Sequence, residues 1–219
     1  MMAESTPGQP AVVLVHGLWT GPWAMAWLAR ALAARGFRVF RFGYASVRAS
    51  LKDNAAELAR FAAEIDAPVV HWLGHSLGGI VIFRALAAGG ARHGRVVMLG
   101  SPLRGSAAGA RLARLDTGRA MVGRSVLEWL TAPASRWTLP QDLGIIAGTT
   151  SMGLGRLVVP GLPKPNDGAV SVAETRIAGA REILDLPVSH SGMLLSSRVA
   201  RHAANFFRHG SFADGEDGT

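Results

Sequence analysis

A serine in a short glycine-rich turn is the residue of this sequence best placed for covalent chemistry. The apolar run 70–73 ends in Gly74-His75-Ser76-Leu77-Gly78, and a stretch compatible with a buried helix follows at once. This G-x-S-x-G pattern between a strand and a helix is typical of a nucleophile elbow, whose strained turn exposes the serine hydroxyl. Glycines two residues before and after the serine let strand and helix approach each other closely. The pattern predicts Ser76 as a nucleophile.

A serine hydroxyl needs a base to accept its proton, and a third group must orient that base. Behind an elbow of this kind the acid and then the histidine follow along the chain, each in a loop that leaves a strand. Of the four histidines after Ser76, only His190 lies in such a loop, after the last predicted strand. The others lie at the end of the elbow helix or in the last helix: His93, His202 and His209. His190 is therefore predicted to be the base.

The orienting acid has two candidates. Asp167 lies in the turn Asn166-Asp167-Gly168, between the fifth and sixth predicted strands, which is the expected position. Asp116 is the alternative, since some enzymes with this arrangement take the acid from the loop after the preceding strand. Asp142 precedes its strand and Asp185 lies inside one, so neither is at the correct end of the sheet. We predict Asp167, and Asp116 stays open.

Two backbone amides could stabilise negative charge on a substrate oxygen. The Leu77 N–H follows the serine at a helix N-terminus, where developing negative charge is favoured. The second donor is expected in the loop after the first strand, His16-Gly17-Leu18-Trp19, where Gly17 would leave the Leu18 N–H free. His16 is expected to support this loop rather than to act as a base. Leu18 and Leu77 are thus the predicted oxyanion donors.

The elements that must position these residues alternate between strand and helix. Apolar segments predict strands at 11–15, 68–73, 95–100, 143–148 and 182–188, and an alternating pattern predicts one at 37–42. Pro187 places the last strand near an edge. Helical spacing predicts helices at 23–35, 54–65, 77–88 and 193–207, the last with Leu195, Val199, His202 and Phe206 along one face. This order predicts an α/β fold, a mostly parallel central sheet with helices on both faces.

One segment interrupts the alternation. Residues 101–141 contain two predicted helices, Ala107–Leu115 and Arg119–Thr131, and are too long for an ordinary connection. This small helical insertion is expected to cover the sheet or to act as a lid over the site. The remaining boundaries are a flexible N-terminus at 1–10, one domain at 11–208, and a disordered acidic tail at 209–219.

Composition excludes several other classes of protein. The 219 residues contain no cysteine, which excludes disulfides, thiolate metal sites and a cysteine nucleophile. The net charge is +8, but the basic residues are dispersed and nearly all arginine, so no nucleic-acid partner is expected. No signal peptide and no transmembrane run are evident, which predicts a cytoplasmic protein.

Taken together, the motifs resemble those of α/β-hydrolase lipases and esterases, with the greatest likeness to bacterial triacylglycerol-lipase-like proteins. The motifs that carry the resemblance occur in the family's order: Val15-His16-Gly17-Leu18, Gly74-His75-Ser76-Leu77-Gly78-Gly79, Gly100-Ser101-Pro102-Leu103-Arg104-Gly105-Ser106, Asn166-Asp167-Gly168-Ala169-Val170 and the loop histidine His190. The resemblance implies that the N-D-G aspartate is the acid, which favours Asp167. It also implies that Leu18 and Leu77 supply the oxyanion amides. No acidic cluster matches the calcium site of some secreted lipases, and no metal or cofactor is expected.

The expected function is therefore hydrolysis of a small-molecule or lipid-like ester through an acyl-enzyme. Trp19, Met193 and Leu194 flank the catalytic positions and are candidate substrate contacts, and Trp129 or Trp137 could reach the site from the insertion. An acyltransferase or amidase with the same triad is the alternative. A non-catalytic binding protein is disfavoured, because every triad position is filled.

Overall fold

Six parallel strands form one sheet at the centre of the molecule. The computed structural model describes residues 8–89, 93–152 and 161–214. The strands, in the spatial order β2-β1-β3-β4-β5-β6, are β1 (Ala11–Val15), β2 (Arg38–Phe42), β3 (Val70–His75), β4 (Val96–Leu99), β5 (Leu143–Gly148) and β6 (Glu182–Leu186). All neighbouring pairs are parallel. The predicted parallel sheet is confirmed, and β6 ends at its edge just before Pro187.

Seven α-helices are described, with 3₁₀ turns at Pro22–Met25 and Gly192–Leu195. They are α1 (Ala26–Ala33), α2 (Leu51–Ala63), α3 (Leu77–Ala87), α4 (Ala107–Leu112), α5 (Asp116–Thr131), α6 (Val172–Thr175) and α7 (Ser197–His209). The second helix begins three residues earlier than predicted, because the Ser50 side chain accepts a hydrogen bond from the Asp53 N–H and caps it.

Two hydrophobic cores lie on opposite faces of the sheet. Along β1, Val13 and Val15 point into one core, and Val12 and Leu14 point into the other. Side chains of α2, α3 and α5 complete the first core, and those of α1 and α7 complete the second. Since a buried parallel strand is covered on both faces, β1 is apolar at every position. The predicted helices on both faces are confirmed.

The C-terminal region differs from its prediction. The chain makes a 3₁₀ turn through Leu195, whose side chain is exposed, and α7 begins only after Ser196, which caps it by accepting from the Val199 N–H. Leu195 therefore does not share the buried helix face on which it was predicted. The chain also stays packed beyond α7, since Phe212 is buried. The predicted disordered tail thus does not begin at 209, and residues 215–219 lie outside the described ranges, as do residues 1–7 of the predicted flexible N-terminus.

The insertion forms a tight helix pair, α4 and α5. α5 begins three residues before its predicted start. Gly118 in its first turn fits against the Leu112 carbonyl, where a Cβ would come within 2.0 Å of the oxygen. α5 bends at Gly123, whose φ of 73° is accessible to glycine at little cost. A Cβ at Gly123 would also come within 2.5 Å of the Val47 carbonyl oxygen. The bend therefore coincides with a close contact between α5 and the loop before α2.

None of the helices in the described ranges is long and apolar enough to cross a lipid bilayer. The cytoplasmic location and the absence of a nucleic-acid partner stay predictions.

Candidate active site

The turn at Ser76 has the strained geometry that its pattern predicts. β3 ends at His75, α3 begins at Leu77, and Ser76 between them has φ 54° and ψ −122°. Such a conformation is costly for a residue with a side chain and persists only where its surroundings enforce it. The Ser76 N–H donates to the Leu99 carbonyl at 2.9 Å, which ties the turn to β4.

Three glycines allow the close packing that enforces this turn. A Cβ at Gly74 would lie 2.5 Å from the Gly79 Cα, and one at Gly78 would lie 2.1 Å from the Val15 carbonyl oxygen of β1. At Gly79 a Cβ would meet the Ser101 hydroxyl at 2.2 Å. No Cβ fits at these three positions, and α3 therefore packs directly against the backbone of β1 and β3. This is the physical reason for the glycine spacing around Ser76.

The structure brings Asp167 and His190 together. The His190 Nδ1–H donates to Asp167 Oδ2 at 2.7 Å, and the His190 backbone N–H donates to the Asp167 carbonyl at 2.9 Å. The other carboxylate oxygen, Oδ1, accepts from the N–H groups of Ala169 and Val170 at 2.9 and 2.8 Å. Asp167 is only 1% exposed, so its carboxylate is buried but fully hydrogen-bonded. Because this carboxylate binds Nδ1 of His190, the Nε2 atom of the same ring stays available to act as a base.

Two glycines that were not predicted to matter make room for this pair. At Gly100, just after β4, a Cβ would lie 2.8 Å from Asp167 Oδ2 and 3.1 Å from His190 Nδ1. At Gly148, the last residue of β5, it would lie 2.7 Å from the Asp167 Cβ. The hydrogen bond between Asp167 and His190 therefore lies directly over two strand ends that carry no side chain.

His75 is a further residue of the site that the sequence analysis did not single out. Its Nε2–H donates to the His190 backbone carbonyl at 2.9 Å, and the two imidazole rings are 4.6 Å apart. Burial and the neighbouring His190 lower the pKa of His75 to about 3. His75 is thus neutral at ordinary pH and holds the loop of the base against the end of β3. Its signal in the sequence was its position next to Ser76, at the buried end of a strand.

The predicted oxyanion loop follows β1 beside the elbow. Leu18 and Leu77 both line the cavity that contains Ser76, and Leu77 opens α3, where the first amides have no partner within the helix. His16 is fully buried, donates from Nδ1 to the Gly17 carbonyl at 2.8 Å and stacks on Tyr44. Burial lowers the pKa of His16. His16 therefore lies in the supporting position expected for it.

An apolar cavity of about 550 Å³ opens beside Ser76 and His190. Its walls come from the oxyanion loop, the start of α3, the loop of Asp167 and the insertion, and the insertion contributes Leu112, Val122, Val126 and Trp129. In the described part of the chain, no Asp, Glu, Lys or Arg lines it. A cavity of this size and lining suits the apolar part of a small molecule.

The predicted substrate contacts fall into two groups. Trp19, Leu194 and Trp129 line the cavity. Met193 and Trp137 do not line it. Met193 is fully buried, with its Cε packed against Gly148. Trp137 is also buried, and its Nε1–H donates to the Gln141 carbonyl. Met193 is corrected to a core residue, because the 3₁₀ turn points it inward.

The alternative acid lies elsewhere in the chain. Asp116 begins α5, and the Nδ1 atom of His190 is already bonded to Asp167. The geometry therefore favours Asp167 for the role of orienting acid.

Comparisons with known proteins agree with this architecture. A sequence model described as the alpha/beta hydrolase family matches residues 12–202. The mature lipase BlEst2 of Bacillus licheniformis superimposes with a TM-score of 0.73 at 18% identity, over 96% of each chain. A metagenomic carboxyl esterase gives 0.63 at 19% identity, over 85% of this chain and 65% of the other. The RedJ thioesterase from prodiginine biosynthesis in Streptomyces coelicolor gives 0.60 at 14% identity, over 94% and 90%. No curated protein sequence matches the chain.

The buried His75 should make the protein less stable in mild acid. The pKa of His75 is near 6.5 in the unfolded chain and about 3 in the folded protein. As the pH falls below 6.5, the unfolded chain therefore binds a proton at His75 before the folded protein does. The free energy of unfolding should therefore drop by about 2 kcal/mol between pH 7 and pH 5 from this residue. Urea denaturation of the wild type and of His75→Gln at both pH values measures it. Because the variant lacks the titrating group, its free energy of unfolding should fall by about 2 kcal/mol less than that of the wild type between the two pH values. An identical pH dependence of the two proteins would contradict a lowered pKa for His75.

Proposed function

Because the chain belongs to the alpha/beta hydrolase family, we propose that it is a serine hydrolase that cleaves carboxylic esters through an acyl-enzyme. One observation carries the proposal: His190, bonded to the buried Asp167 at 2.7 Å, lines the same apolar cavity as the strained Ser76. A nucleophile, a base and an orienting acid are the minimum set for this chemistry.

In the proposed acylation step, the Ser76 Oγ attacks the ester carbonyl carbon while His190 Nε2 takes its proton. The carbonyl π electrons move to oxygen and give a tetrahedral intermediate. As the intermediate collapses, the carbon–oxygen bond to the alcohol breaks, and His190 returns the proton to that leaving oxygen. Water then repeats the sequence: it loses a proton to His190, attacks the acyl carbon, and releases the acid as Ser76 regains its proton.

The surroundings of these residues support each role. Asp167 is anchored by two backbone N–H groups and presents its second oxygen to His190, so it fixes the tautomer of the ring and stabilises the imidazolium that forms. The amides of Leu18 and Leu77 would bind the negative oxygen of the intermediate. Since these donors belong to a loop and a helix start that are already in place, little reorganisation is needed.

The cavity indicates the substrate class. An uncharged lining with aliphatic and aromatic side chains favours an ester whose acyl group is apolar, either a small molecule or a lipid-like compound. No step of the proposed mechanism requires a metal or a cofactor. An acyltransferase or amidase would form the same acyl-enzyme, and comparing alcohols and amines with water as acceptors would distinguish them.

Asp167→Asn tests the triad directly. Loss of the charge that orients and stabilises His190 should lower kcat by on the order of 10³–10⁴ with little change in KM. Steady-state hydrolysis of a nitrophenyl ester gives both constants. Asp185→Asn is the matched control, because Asp185 lies on β6, paired with Arg176, and it should retain wild-type kcat. If Asp116→Asn alone caused the large loss, the acid would be Asp116.

A series of nitrophenyl esters from acetate to decanoate tests the acyl cavity. Each methylene buried in it should add up to ~0.8 kcal/mol, or roughly fourfold in kcat/KM, until the cavity is filled. Val126→Phe narrows the cavity from α5, so it should reduce kcat/KM for the longer esters and leave the acetate ester unchanged. Rates that are independent of acyl length in the wild type would refute an acyl cavity at this position.

A further inference from the structure

The loop after β1 contains a second strained residue. Within the described chain, only two residues other than glycine have a positive φ: Ser76 at 54° and Trp19 at 59°. A left-handed conformation is unusual for a bulky aromatic residue, and it persists only where surrounding contacts enforce it. Trp19 directly follows Leu18, the proposed oxyanion donor. The contacts that hold Trp19 therefore bear on where the Leu18 amide points.

The loop is held from two sides. On the side of β1, the Thr20 hydroxyl and the His16 Nδ1–H both donate to the Gly17 carbonyl, at 3.0 and 2.8 Å. On the outer side, the Trp19 Nε1–H donates to the Met121 carbonyl of α5 at 2.7 Å. Trp19 is 53% exposed, so it is not a buried residue whose polar group must find a partner within the protein. The direct bond therefore fixes the indole against the insertion without being needed to satisfy a buried group.

Met121 belongs to the half of α5 that has fewer described hydrogen bonds to the rest of the protein. After the bend at Gly123, the helix is tied to segments outside the insertion: the Arg124 N–H donates to the Val47 carbonyl, the Asn54 side chain donates to the Ser125 hydroxyl, and the Leu51 N–H donates to the Glu128 carboxylate, all within 3.0 Å. Before the bend, the described hydrogen bonds of residues 117–121 stay within the insertion, apart from the one from Trp19.

We propose that Trp19 is a positioning residue that couples the seating of the insertion to the geometry of the oxyanion loop. When the first half of α5 lies over the cavity, its Met121 carbonyl holds the indole, and the strained loop keeps the Leu18 amide directed at the substrate oxygen. When that half of α5 moves away, the loop loses its outer support. The site is therefore expected to be most active when the first half of α5 covers the cavity. This inference rests on the proposed function, because it assigns a control to the same site.

Trp19→Phe is the sharpest test, since it removes the N–H donor, together with the five-membered ring that carries it, and keeps an aromatic ring in the cavity wall. Loss of one such hydrogen bond should raise amide hydrogen exchange in residues 117–122 by roughly 2- to 12-fold, without affecting residues 124–131. kcat for a short nitrophenyl ester should fall by a similar factor while KM stays nearly constant, because the oxyanion amide acts in the transition state. Trp23→Phe, at a tryptophan that is 71% exposed on the neighbouring turn, should change neither quantity.

The two measurements separate this inference from the proposed function. Unchanged exchange in residues 117–122 of Trp19→Phe would overturn the coupling, whatever the activity. Raised exchange with an unchanged kcat would overturn the role in oxyanion positioning. If the wild-type protein hydrolysed no ester, the proposed function would fail, and with it the positioning role, while exchange would still report the link between Trp19 and α5.

Discussion

The close backbone contact of α3 with β1 and β3 is the constraint on which the site depends. The missing side chains at Gly74, Gly78 and Gly79 let the helix rest directly on the strands, and only then can Ser76 keep its left-handed turn. The same contact fixes the loop after β1, since the position of a Cβ on Gly78 lies 2.1 Å from Val15 O. One packing arrangement thus sets both the nucleophile and the start of the proposed oxyanion loop.

The proposed acid and base, Asp167 and His190, lie at the other half of the same sheet edge. Gly100 and Gly148 clear the ends of β4 and β5 for the Asp167–His190 pair, and His75 holds the His190 carbonyl from the end of β3. Because the carboxyl ends of parallel strands share one edge, these contacts bring together residues that are far apart in the sequence. The insertion adds a large part of the apolar wall of the cavity but none of the proposed catalytic groups. In our proposal the sheet edge therefore supplies the chemistry, and the insertion selects the substrate.

The sequence predicted the four inner strands because they are mostly apolar runs, the second strand because apolar and basic residues alternate in it, and the elbow because its glycine spacing is local. The pairing of Asp167 with His190 was predicted from chain order together with the family resemblance, while chain order alone left Asp116 open. Other features arise between segments distant in sequence. The bond from Trp19 joins residues 102 positions apart, and the contact of His75 with His190 spans 115. The inward direction of Met193 follows from a 3₁₀ turn that apolar spacing does not distinguish from an α-helix. Such features required the fold itself.

The central claim, that Ser76 is an activated nucleophile, is tested most directly by reaction with a fluorophosphonate. Intact mass and peptide mapping of the folded wild type should show one adduct, located on Ser76, and Ser76→Ala should show none. Ser191→Ala is the matched control, because Ser191 lines the same cavity outside the elbow, and it should react like the wild type. Equal labelling of the wild type and Ser76→Ala, or no labelling of the wild type, would contradict the account.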